Sequence, residues 1–469
     1  MKTHLLTALL AAMMPAGLWA GLLKTYKIPD GAPKNSEFSV MARLPGNAWQ
    51  TVETYAWKVD HVSNGRHNNE TSSVASFDFS GQVEVAVVHN SRKNCRWRVR
   101  PLGYNMPCRQ HGDTLFINID QPRFLSVEAD GDIYHNLQLF ANGITPKVKK
   151  GRNVVWFGPG YHELKDSLAV LSGQTVYIDG GAYIKGFLSV YKQRHVRIIG
   201  TGIVNPERQH EGIMVRYSAD VDINGPLTTQ IPVGQSNRVR VENAKVISWY
   251  GWGDGMNVFA SENVSYRHVF CRTSDDCSTI YCTRKGYHGS SRHISVDDAV
   301  YWADVAHPIM IGLHGDIDKK EEVCDVTYNN VDILQQNEPQ IDYQGCIAIN
   351  NGDNILVHDL TFSNIRIEDI TLGSLLNMRV CYNKKYCHAP GRGICNVRLK
   401  NISYKGNRAG MSMIVGYNEE RGVSGICFDN LQINGRHIAD NMADKPKWYK
   451  TSDMANTFLG EHVTDVTYH

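Results

Sequence analysis

Seven six-residue segments in the second half of the chain share one pattern, and that repeat restricts the fold more than any other feature. They are "VRVENA" from Val239, "VSYRHV" from Val264, "ISVDDA" from Ile294, "VTYNNV" from Val326, "LTFSNI" from Leu360, "VRLKNI" from Val397 and "ICFDNL" from Ile426. Each runs apolar, polar, apolar, polar, then Asn, His or Asp, then apolar. Successive spacings are 25, 30, 32, 34, 37 and 29 residues. Alternation of this kind is a strand signal, and a period of this length marks a solenoid whose units cannot bury their inner faces alone. Ankyrin and leucine-rich repeats have similar periods but need helices or a leucine consensus, and neither occurs here. The expectation is a parallel β-helix from about residue 146 to 469, with the Asn position stacking amides between coils at a tight turn.

Residues 21 to 145 follow another regime. Short alternating runs such as Val83–Val87, Leu115–Ile119 and Phe124–Glu128 are separated by Gly, Asn, Asp and Pro clusters, without any long 3.6-residue period. Short strands with polar turns predict a β-sandwich. Before it, Met1, Lys2 and His4 precede an apolar run from Leu5 to Trp19, broken by Pro15 and Gly17 and ending at Ala20. Residues 1–20 therefore read as a secretory signal peptide, and the chain as secreted, periplasmic or cell-surface. No later run approaches the length of a membrane span. A net charge of +2 with 20% charged residues gives no reason to expect nucleic acid or membrane as a partner, so a neutral or modestly charged substrate is the default. The eleven cysteines form no CxxC and no zinc-like spacing with histidine, although Cys95/Cys108 or Cys381/Cys387 are near enough in sequence to pair. No cofactor or metal is expected, and the chain is read as a monomer.

In a β-helix, equivalent positions of neighbouring coils lie about 4.8 Å apart. That ruler picks out Asp254 in "WGDG", the doublet Asp275-Asp276 in "TSDDCSTIY" and His307 in "HPIMIG", each about one coil from the last. Clustered acids raise each other's pKa and split their titrations, which lets one remain protonated beside an ionised neighbour. Glycoside hydrolysis needs that division of labour. A second doublet, Asp297-Asp298, falls on the Asn position of the repeat and is assigned no chemistry.

These motifs resemble the "TDG", "DD" and "HGxxIG" motifs of polygalacturonase-type glycosidases (glycoside hydrolase family 28). The likeness extends to the dextranase and isopullulanase family (family 49), where a β-sandwich precedes the helix. The resemblance implies an all-β chain whose sandwich is followed by a right-handed, pectate-lyase-like parallel β-helix. It also implies an inverting hydrolase of a polysaccharide or oligosaccharide, with Asp275 as general acid. Asp254 and Asp276 would hold and deprotonate the attacking water, and His307 would support the acid. One departure matters. Polygalacturonases carry an Arg-x-Lys pair one coil after the histidine, whereas Cys346–Asn350 holds no cation. That absence argues for a neutral, dextranase-like substrate, although Arg379 could supply one charge from a later coil.

Trp252, Tyr281 and Trp302 are candidate stacking platforms for sugar rings, and Asp316 a candidate contact. Trp249, Tyr250 and Tyr301 join the same aromatic set. The polar insertion 205–212, "NPERQHEG", with Arg208, His210 and Glu211, could wall a cleft. Two other functions stay open: a β-helix polysaccharide lyase and a non-catalytic glycan-binding or adhesive β-helix.

Overall fold

A computed structural model describes residues 21–63 and 65–469. The reading of residues 1–20 as a signal peptide lies outside the described residues. Among the described residues the regular structure is almost wholly strand, in three sheets. Two of them, of six and five strands, draw on residues between Leu22 and Gly143 and pack face to face. Their inward side chains, among them Val40, Phe77, Val85, Ile117, Leu125 and Leu139, form one core. This is the expected β-sandwich.

The third sheet runs through 27 strands from Val154 to Tyr468 and pairs each coil in parallel with the next. The seven repeats stack in register: Val239 lies opposite Val264, then Ile294, Val326, Leu360, Val397 and Ile426. These residues are buried in a continuous core that extends from Val170 to Tyr468. The parallel β-helix is therefore the fold, and the repeat is its rung.

The turn position behaves as its composition demands. Asn243, His268, Asp298, Asn330, Asn364, Asn401 and Asn430 all take φ between 50° and 62°. Asn and Asp tolerate this left-handed conformation better than other side chains. Several also bond from coil to coil, Asn401 Nδ2 to Asn364 Oδ1 and Asn430 Nδ2 to Asn401 Oδ1, both at 2.9 Å. Asp298 belongs to this ladder, joined to His268 and Asn330. Burial opposes its charge, but the His268 contact wins and holds its carboxyl below the usual range.

Sandwich and helix share a buried seam. Tyr55, Trp57, Phe124 and Phe140 pack against Tyr183, Ile247, Phe270, Trp302 and Leu334. Polar links cross it as well. Arg100 Nη1 donates to Leu334 O at 2.6 Å, Arg272 Nη1 to Asn136 Oδ1 at 2.9 Å and Lys245 Nζ to Asn142 Oδ1 at 2.8 Å.

Candidate active site

A run of short strands lies along one flank of the helix: Met256–Phe259, Ser278–Tyr281, Ile309–Gly312, Ile347–Asn351 and Leu376–Val380, each paired with the next. Asp254, Asp275-Asp276 and His307 occupy the loops that lead into the first three. Backbone bonds stack these loops: Gly255 N–H donates to Asp276 O and Cys277 N–H to His307 O, both at 2.8 Å. A Cβ on Gly255 would stand 2.4 Å from Cys277 O, so close stacking accounts for the glycine after Asp254. The hydroxyls of Ser248 and Ser274 fix the preceding turn by donating to the carbonyls of Gly253 and Tyr250 respectively.

One oxygen from each of Asp254, Asp275 and Asp276 lies within 4.8 Å of the others. The doublet thus sits in a loop, away from the strand alternation that aspartate disfavours. Asp276 is the most buried of the three, 6% exposed. Its Oδ1 accepts from His307 Nδ1 at 2.7 Å and from the His307 backbone N–H at 3.1 Å, and its Oδ2 from the Tyr281 hydroxyl at 3.2 Å. His307 Nε2 faces Tyr343 O at 2.5 Å. With an acceptor at each nitrogen, the ring carries both protons. Burial disfavours that charge, but Asp276 outweighs it and holds His307 above the usual histidine value.

The other two acids lack such a cation. Burial, then the charge of Asp276, pushes the Asp254 carboxyl up to about 7, against a bond from Asn257 Nδ2 at 2.8 Å. Burial and both neighbouring acids raise Asp275 well above the carboxylate range. The histidine expected to support Asp275 therefore holds Asp276 instead, and the arrangement is one ion pair, Asp276–His307, beside two carboxyls that favour the protonated state. The three acids are close enough to grip a divalent cation, although His307 already engages one of them.

The remaining candidates separate. Trp252 is 74% exposed and presents a free aromatic face beside Asp254. Gln209 of the 205–212 insertion donates to Gly251 O at 2.9 Å, so that segment adjoins the Trp252 turn. Tyr281 is buried and holds Asp276 instead of offering a face. Trp302 is 0% exposed, clamped between the guanidiniums of Arg100 and Arg272 at 4.5 and 4.3 Å in the domain seam, so no sugar can reach it. Tyr301 is a core residue and Tyr250 is buried. Trp249 lies under the ammonium of Lys58 at 4.4 Å. Asp316 is a turn residue that accepts from Asp318 N–H at 3.0 Å. Arg379 stands opposite Asn350, itself opposite Gly312, and is engaged by Asp342 from the short 3-10 helix Ile341–Tyr343.

Several residues at the site carry no signal in the sequence. Asn257 and Tyr343 orient Asp254 and His307. Arg284 lies 5.0 Å from the Tyr281 ring centre and Lys285 5.9 Å from that of Phe259. Their charges reach Asp254. Burial, then the charges of Arg284, His388 and Lys285, depress His314 to about 3. Phe259, Tyr281, Met310 and Tyr343 form an apolar patch outside the helix core, flanked by Tyr287 and Tyr386. Apart from Tyr281, already a candidate, each reaches the site through its coil, so local spacing hides it.

All eleven cysteines are unbonded. The Cys381 thiol is drawn down by its contact with Cys387, which places the two side by side.

No protein-family model matches the sequence, and no curated protein matches it. Solved structures do. Dex49A from Penicillium minioluteum superposes with a TM-score of 0.62 at 13% identity, over 95% of this chain and 96% of that one. A family 28 exopolygalacturonase from Yersinia enterocolitica gives 0.47 at 10% identity, over 82% and 96%. The surface protein and adhesin PfbA of Streptococcus pneumoniae gives 0.40 at 10% identity, over 67% and 92%. In fold, the chain is similar to Dex49A along nearly its whole length.

Proposed function

We propose that this chain is a glycoside hydrolase acting on a polysaccharide or oligosaccharide, exported from the cell, with its reaction centre at Asp254, Asp275 and Asp276. The observation that carries the proposal is the division of charge within the triad. Asp276 is paired with a histidine that carries both protons, while burial and like charge keep Asp275 protonated. Asp275 then donates its proton to the glycosidic oxygen as the bond to the anomeric carbon breaks. A water held by Asp254 and Asp276 adds to that carbon and gives its proton to the carboxylate. The products are a free reducing end and an alcohol, with inversion at the anomeric centre. His307 touches no reacting atom and acts by positioning Asp276.

Trp252 is the stacking surface, because aromatic faces match the apolar faces of sugar rings. The absence of a cation in Cys346–Asn350 favours a neutral, dextranase-like glycan. A second reading has its own support. Arg284 and Lys285 lie over Tyr281 and Phe259, their charges reach Asp254, and they would hold a uronate carboxylate.

The test is a panel of neutral and acidic glycans with reducing-end detection and proton NMR of the first product anomer. Asp275→Asn should lower turnover by about 10²–10⁴-fold and leave substrate binding intact. Arg284→Ala should change cleavage of a neutral glycan little and that of an acidic glycan severely. An unsaturated, ultraviolet-absorbing product would replace the hydrolase with a lyase, and binding without cleavage by the native protein would replace it with an adhesin.

A further inference from the structure

Away from the acids, where each coil leaves the short-strand flank and enters the next long strand, one ladder changes character. The position before a second left-handed turn holds Arg194, Ala219, Asn237, Glu262, Arg292, Cys324, His358, Cys395 and Ser424 in successive coils. For two adjacent coils it carries a thiol and an imidazole. Glu322 lies two residues before Cys324 in the same strand, Glu322–Asn337, and so points to the same face. A carboxylate oxygen of Glu322, Cys324 Sγ and a ring nitrogen of His358 all lie within 4.8 Å of one another. We infer that Glu322, Cys324 and His358 form a binding site for a zinc-class divalent cation that clips two coils together.

The donor set selects the metal. A thiolate with an imidazole and one carboxylate suits a borderline ion such as Zn²⁺ and disfavours Ca²⁺ or Mg²⁺, which take oxygen ligands. With Zn–S near 2.3 Å and Zn–N near 2.0 Å, ligand atoms in a tetrahedral site stand about 3.5 Å apart. The three ligand atoms, within 4.8 Å of one another, would draw in to that spacing around a bound ion. The surroundings are also those of a ligand histidine. His358 Nδ1 is bonded to Asp359 Oδ2 at 2.7 Å, which fixes the ring and leaves the Nε2 lone pair to bind metal. Asn396 in turn donates to the other oxygen of Asp359. Arg292 Nη2 reaches Glu322 Oε2 at 3.2 Å, so Oε1 is the free oxygen. Three protein ligands leave the fourth position to water. Cys395, opposite His358 in the following coil, is outside the cluster.

This site is independent of the hydrolase assignment. The test is titration of the reduced full chain with Co²⁺, read by the near-ultraviolet thiolate-to-cobalt band, then with Zn²⁺, read by melting temperature. One equivalent should bind and raise the melting temperature. Cys324→Ser should abolish both signals. Asp359→Asn should weaken binding by about 10–100-fold. Asp275→Asn should leave the signal unchanged, which separates it from the catalytic acids. Should Cys324→Ser fold poorly, His358→Asn, at a partly exposed position, serves in its place and should also lose the band. A native chain without the band, or a band that survives both ligand substitutions, overturns the inference.

Discussion

Asp254 and Asp298 are chemically the same side chain in the same β-helix, yet their environments drive them in opposite directions. Asp298 meets His268 and titrates low, whereas Asp254 is enclosed beside Asp276 and rises to about 7. The sign of the stability effect follows from linkage. With an unfolded value of about 3.9, the folded chain keeps a proton on Asp254 that the unfolded chain releases. The stabilisation from that proton is complete below about pH 4 and is lost as pH rises through about 7. Asp254→Asn should therefore raise the melting temperature at pH 8 and change it little at pH 4. Activity should fall on the alkaline side as the cluster loses its remaining protons. Which aspartates meet was legible from one-coil spacing. Which of them carries the charge was not, because coil spacing brings His307 near all three acids and only the packing pairs it with Asp276.

At the scale of elements, the ladder position is the feature the sequence displays most openly. Its residue must accept positive φ and also bond to the next coil, and Asn does both. Asn401→Ala should lower unfolding stability by about 1–2 kcal/mol, through backbone strain and the lost bonds to Asn364 and Asn430. Asn401→Gly should recover the strain part alone, so its denaturation midpoint should fall between those of the native chain and the alanine variant. The aromatic candidates fared differently. Trp252 and Trp302 look alike in sequence, but one projects from a turn and the other faces out of the helix core into the seam beneath the sandwich. Alternation tells which face of a strand a residue takes, and says nothing about what covers that face.

Across the whole molecule, the seam between sandwich and helix rests on charge as well as apolar packing. Arg100 and Glu128 are both fully buried, with Nε 2.7 Å from Oε1. Removing one partner of such a pair leaves an uncompensated buried charge, so Arg100→Met should cost about 3–5 kcal/mol. The double replacement Arg100→Met with Glu128→Leu should recover most of that loss, as measured by chemical denaturation. The sequence by itself determined the rung, its turn residue, the sandwich that precedes it and the coil spacing of the acids, because each is a local pattern repeated along the chain. Tertiary structure alone decided the Asp276–His307 ion pair, the burial of Trp302 between two arginines and the meeting of Cys324 with His358. Those depend on which side chains face one another across coils and domains, which coil spacing narrows but only stacking and burial decide.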